Sequence, residues 1–183
     1  MIKDEIFLTE NLIDIDYLFS LNNWLNASES NYKEGQKSTL GTYNIPPHLS
    51  EGFQDLYLKI KNEIENFYQA SLYDEHFCNV VEYKVGDMLH LHSDDEAQYL
   101  DGKLIYEAGT STGHPTRNIS SVLYLNDTYT GGEIEFPNLS IKMKPKPGTL
   151  IAFPSKGKLF EHQVAKVITG RKWMTPSFWH IKD

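Results

Sequence analysis

Only one cysteine, Cys78, stands among the 183 residues, so no disulfide can close within the chain and a reducing setting is expected. Long apolar runs are missing as well. The longest, such as Leu150–Phe153, reach four residues, against the roughly 20 that a bilayer span needs, so no membrane crossing is expected. The opening Met1-Ile-Lys-Asp-Glu-Ile-Phe mixes charges into its first residues and lacks the apolar core of a secretory signal, which gives a cytoplasmic expectation. Basic clusters are absent: 25 Asp and Glu outnumber 17 Lys and Arg, and the formal charge of −8 repels phosphate backbones, so nucleic acid is a poor partner. At about 150 residues per domain, the length predicts one domain over 1–183, with mainly helical support in 1–75 and a β core in 76–183.

What is present divides at about His76. Before it, Thr9 can cap a helix carrying Ile13, Ile15, Leu18, Phe19 and Trp24, and Ser50 can cap a second whose Phe53, Leu56, Ile60, Ile64 and Phe67 recur every three or four positions. After it come eight β-rich runs: 77–85, 88–93, 118–125, 133–136, 139–143, 149–153, 163–168 and 172–179. Gly131-Gly132, Pro145-Lys-Pro147-Gly148, Pro154-Ser-Lys-Gly157 and Gly170 supply turns between them. Helices followed by strands predict a double-stranded β-helix, or jelly roll, supported by N-terminal helices. From Asp95 to Thr116 the chain runs without a clear pattern; loops beyond about 12–15 residues are usually functional, so a lid is expected there, with Tyr99, Leu104 and Tyr106 as an apolar clamp.

Chemistry concentrates beside that segment. In His92-Ser93-Asp94 alternate residues of a strand would set an imidazole and a carboxylate on one face, and His162 heads a late β run as a third candidate ligand. Two imidazoles and a carboxylate suit iron(II) with open positions, and zinc takes the same ligand types, so these residues alone leave the metal open. Ten residues past His162 stands Lys172, a cation that could pair with a carboxylate; Arg171 is the alternative if the strand is shifted by one. His90, two residues before His92, would share its strand face.

Four ordered pieces resemble the prolyl 4-hydroxylase-like branch of the iron(II)- and 2-oxoglutarate-dependent dioxygenases, over about Tyr83 to Trp179. They are Tyr83-Lys-Val-Gly86 leading to His92-Ser-Asp94, then Arg117-Asn-Ile-Ser-Ser-Val-Leu-Tyr124-Leu-Asn126-Asp127, then Gly131-Gly132-Glu133-Ile-Glu-Phe136-Pro137, and finally His162 followed by Gly170-Arg-Lys172-Trp173. The chain departs from the family in having Lys166 where proline often follows the distal histidine, and Trp179 seven rather than six residues beyond Lys172.

The resemblance implies a catalytic metal set of His92, Asp94 and His162 holding iron(II), with 2-oxoglutarate held at its far carboxylate by Lys172 and Tyr124 and lined by Tyr83. Dioxygen is the co-substrate and ascorbate an accessory reductant. Asp94 stands where related halogenases carry a small residue, which argues against halogenation. The second arginine of nucleic-acid dealkylating relatives is replaced by Ser177 or Phe178. A prolyl residue in a peptide or protein is the implied substrate, with release of succinate and CO2. A free amino acid or other small molecule is the alternative, and a non-catalytic jelly-roll binding module the rival from another class.

Overall fold

The computed structural model describes residues 5–29, 41–74, 80–94, 98–100, 103–106 and 117–182. In chain order the elements of the first half are β1 (Phe7–Thr9), α1 (Ile15–Ala27), β2 (Gly41–Tyr43), α2 (Pro47–Tyr68), β3 (Leu72–Asp74), β4 (Val80–Tyr83), β5 (Leu89–His92), β6 (Gln98–Leu100) and β7 (Lys103–Tyr106). The second half adds β8 (Ile119–Tyr124), β9 (Thr130–Gly131), β10 (Ile134–Phe136), β11 (Ile141–Met143), β12 (Leu150–Pro154), β13 (His162–Val164), β14 (Val167–Thr169) and β15 (Lys172–Ile181).

Every strand pairing is antiparallel, and two sheets form the body. The larger has the order β1-β12-β8-β15-β4-β2 with β3 also on β15, and the smaller runs β11-β10-β13-β5. Side-chain alternation divides the interior into two cores. On β8, Ile119 and Leu123 pack toward the helices while Val122 and Tyr124 face the space between the sheets; on β12, Leu150 and Ala152 oppose Ile151 and Phe153 in the same way. This is the expected jelly roll backed by helices.

Helix α2 lays Leu49, Phe53, Leu56, Ile60, Ile64 and Tyr68 on the outer face of the larger sheet, and α1 adds Leu18, Leu21 and Leu25. Each such aliphatic side chain contributes roughly 1.5–3 kcal/mol on burial. That apolar seal leaves the opposite face of the sheet free to carry polar groups inward. No helix among the described residues is long and apolar enough to cross a membrane.

Several local expectations are corrected. Thr9 lies in β1, and α1 is capped by Asp14, whose carboxylate accepts from the backbone N–H groups of Asp16 and Tyr17. The start is delayed because the Leu12 N–H bonds the Gly148 carbonyl and Leu12 and Ile13 enter the core ahead of the helix. Of the stripe expected for α1, Leu18 is buried and Trp24 packs against the core, whereas Ile15 and Phe19 remain 73% and 66% exposed. Helix α2 begins at Pro47, before Ser50; proline suits the first helical position because no intrahelical partner awaits its missing N–H. The N-terminal region also supplies β1, β2 and β3, each three residues long and too short for alternation to reveal. The run 163–168 breaks into β13 and β14, which join different sheets. Within the expected 95–116 loop, β6 and β7 form a hairpin; the rest of that loop, and the side chains of Tyr99, Leu104 and Tyr106, lie outside the described residues.

Candidate metal centre

The end of β5 and the start of β13 are paired in register, His92 opposite His162. Asp94, two residues beyond His92, turns its carboxylate between the two imidazoles. Its Oδ1 lies 3.3 Å from His92 Nε2 and its Oδ2 3.7 Å from His162 Nε2. One donor atom from each of the three residues falls within 4.8 Å of the others. Asp94 and His162 are buried, at 8% and 5% exposure.

Hydrogen bonds fix which ring nitrogen faces the centre. His92 Nδ1 lies 2.7 Å from the His90 carbonyl and His162 Nδ1 3.2 Å from the Phe160 carbonyl. A carbonyl only accepts, so each Nδ1 carries a hydrogen and each Nε2 faces the centre, where it can hold a proton toward Asp94 in the free protein and would offer its lone pair to a metal that displaces that proton. Phe153 meets the His162 ring edge-on at 4.7 Å and Phe136 lies 5.6 Å away, which restricts its rotation.

The carboxylate is oriented as well. Asp94 accepts a hydrogen bond from Ser120, and Ser120 Oγ lies 2.7 Å from Ser155 Oγ. Because the Ser120 proton is given to the carboxylate, Ser155 donates in that pair. Burial pushes the Asp94 carboxyl up, but the His92 hydrogen bond and the charges of both histidines prevail and bring it down to about 2. Burial presses His92 down, yet its bond to Asp94 raises it overall; His162 is lowered, chiefly by burial. An ionised carboxylate between two imidazole nitrogens fits a divalent cation and gives this polar cluster a reason to be buried.

Lys172 occupies the same inter-sheet interior. It is 0% exposed, and its Nζ donates to the Gly132 carbonyl at 2.9 Å. The rings of Tyr83, Tyr124 and Tyr129 surround the ammonium at 4.9, 5.3 and 6.0 Å. No carboxylate among the described residues reaches ion-pair distance, and burial, partly offset by the charge of Glu133, lowers the amine to about 7. The hydroxyls of Tyr83 and Tyr129 are buried without a hydrogen-bond partner among the described residues. A cation and two idle donors are suited to an anionic guest.

Register decides between the two basic neighbours. Lys172 sits opposite Tyr83 on β4 and projects inward with Met174, whereas Arg171 turns to the other side, where it pairs with the buried carboxylate of Glu82 and donates to the Ser28 carbonyl at 3.3 Å. In this register Lys172, and not Arg171, faces the interior. His90 is exposed; what it brings to the centre is its carbonyl. Tyr129 and Ser120 were not singled out from sequence. Tyr129 is a lone aromatic in a polar turn, and only that isolation marks it.

A family model described as the 2OG-Fe(II) oxygenase superfamily matches residues 78–180. No curated protein sequence matches the chain. Among solved structures, a viral collagen prolyl hydroxylase from Paramecium Bursaria Chlorella virus-1 in complex with 2OG is 21% identical, with TM-score 0.69 over 97% of this chain and 96% of that one. A prolyl hydroxylase from Trichoplax adhaerens in complex with a hypoxia inducible factor peptide fragment is 14% identical, with TM-score 0.67 over 98% and 84%. HygX from Streptomyces hygroscopicus, with nickel, 2-oxoglutarate and hygromycin B bound, is 13% identical, with TM-score 0.64 over 97% and 83%.

Proposed function

Since the chain belongs to the 2OG-Fe(II) oxygenase superfamily, we propose that this iron(II)- and 2-oxoglutarate-dependent dioxygenase hydroxylates a prolyl residue in an extended peptide or protein segment. The observation that carries the reading is the placing of two charged features in one interior: a His-Asp-His cluster on the smaller sheet and a buried ammonium on the larger. When bound, iron would couple the reduction of dioxygen to two oxidations, one oxygen atom going into the succinate formed with CO2 from 2-oxoglutarate and the other into a C–H bond of the substrate.

The chain's own residues have three tasks. His92, Asp94 and His162 hold the metal through the two Nε2 atoms and the carboxylate. Lys172 and Tyr124 bind the carboxylate at the far end of 2-oxoglutarate, where the ammonium replaces the hydration that the anion gives up. Tyr83, buried beside Lys172, lines the same cavity with its hydroxyl available as a donor. The phenyl rings of Phe136 and Phe153 hold His162 in place and exclude water from that side.

The prolyl peptide is supported by two of the similar structures, one named a collagen prolyl hydroxylase and one holding a peptide fragment. HygX, with hygromycin B bound, supports a second reading, a small-molecule substrate. Succinate formation by the purified protein with iron(II), 2-oxoglutarate and ascorbate under air tests both. Stimulation by proline-containing peptides, with 4-hydroxyproline in the product, is the expected result. Stimulation only by free amino acids or aminoglycosides would replace the prolyl reading. No turnover and no 2-oxoglutarate binding would leave a binding module.

A further inference from the structure

Tyr129 precedes β9 and is 2% exposed, and its hydroxyl has no hydrogen-bond partner among the described residues. A buried hydroxyl left unpaired destabilises the fold that keeps it, so its retention asks for a use. Its surroundings point to a use. The ring is held from several sides: Lys144 Nζ lies 4.6 Å from the ring centroid and donates to the carbonyls of Asp127 at 2.9 Å and Tyr129 at 2.5 Å. On another side is Gly132, with φ +67; a Cβ there would come within 3.1 Å of Tyr129 Cε2 and 3.3 Å of Lys172 Cδ. The glycine therefore lets the phenol and the lysine stem lie close together.

From this geometry we infer that Tyr129 is a co-substrate-binding residue, donating its hydroxyl to the carboxylate that Lys172 holds and so favouring a 2-oxo dicarboxylate over a 2-oxo monocarboxylate of equal length. The inference rests on the reading of Lys172 as the carboxylate anchor. A carboxylate offers about four lone-pair sites, so an ammonium and the Tyr124 phenol leave room for another donor. The rings of Tyr83, Tyr124 and Tyr129 lie 4.9, 5.3 and 6.0 Å from the Lys172 ammonium, which places the three phenols around one region. Burial, aided by Asp127 and Glu133, raises Tyr129 well above the ordinary phenol value, so it remains a donor at neutral pH.

The experiment is calorimetric titration of the manganese(II)-loaded protein with 2-oxoglutarate and, separately, with 2-oxopentanoate, for wild type and Tyr129→Phe. The expected result is about tenfold weaker binding of 2-oxoglutarate by the variant, as for one lost hydrogen bond to a charged group, with 2-oxopentanoate unchanged. Equal loss for both ligands, or no loss for either, would overturn the inference. Because the hydroxyl has no hydrogen-bond partner among the described residues, Tyr129→Phe should also melt no lower than wild type, and a clear drop would assign the group a structural role instead. Absence of 2-oxoglutarate binding by wild type would strike at the anchor reading of Lys172, whereas binding by wild type that Tyr129→Phe matches would strike at Tyr129 alone.

Discussion

Two buried groups of opposite sign have their normal ionisation altered with opposite outcomes. Burial opposes the charge of both: at Asp94 it is outweighed by the two histidines, while at Lys172 it is only partly offset by Glu133 and pushes the amine toward neutrality. Replacing Asp94 with Ala removes the oxygen donor, and manganese(II) or iron(II) affinity should fall by at least 100-fold in a titration, with activity lost. For Lys172, a folded value of about 7 against an ordinary 10.5 means that between those pH values the unfolded chain binds more protons than the folded one. By linkage this group makes the free protein more stable as pH rises through that window. With Lys172 as the proposed anchor, an incoming carboxylate would restore the charge, so 2-oxoglutarate affinity should fall as pH rises above 7. Calorimetry in buffers of different ionisation heat should show proton uptake on binding near pH 8, and Lys172→Met should abolish it. The residue types and their order were legible in the sequence, because ligand chemistry tolerates few substitutes. The choice of Lys172 over Arg171 was not, since it depends on strand register.

At the level of the elements, legibility followed length. Helix α2 and strands β8, β12 and β15 carry enough residues for a period to show, whereas β1, β2 and β3 owe their conformation to the edges they pair with. The start of α1 was misread because a local cap signal at Thr9 lost to a tertiary one, the docking of Leu12 and Ile13. Two element-scale outcomes follow. Asp14→Ala, which removes the acceptor for two N–H groups at the start of α1, should cost about 1 kcal/mol in denaturant unfolding. Ile64→Ala, deep in the seam between α2 and the larger sheet, should cost about 2–5 kcal/mol while leaving metal affinity in the surviving folded protein near wild type.

For the molecule as a whole, the helix-backed sheet serves as a rigid wall and the site is divided between that wall and the smaller sheet facing it. A ligand touching both should therefore stabilise the entire fold. With manganese(II) present and 2-oxoglutarate at about 100 times its dissociation constant, unfolding should become roughly 2.7 kcal/mol harder and the melting temperature should rise; Asp94→Ala should show no such metal-dependent gain. The connectivity carries one more consequence. Strand β15 follows the other described strands in sequence, yet it lies between β8 and β4 in the middle of the larger sheet and brings Lys172 with it. During synthesis the earlier strands must wait, with a gap between them, until the chain has been made past Ile181. Neither of the pairings that flank β15 can form on a nascent chain that still lacks it, so, with Lys172 as the proposed anchor, the capacity to hold 2-oxoglutarate would arise only when this strand slots between β8 and β4.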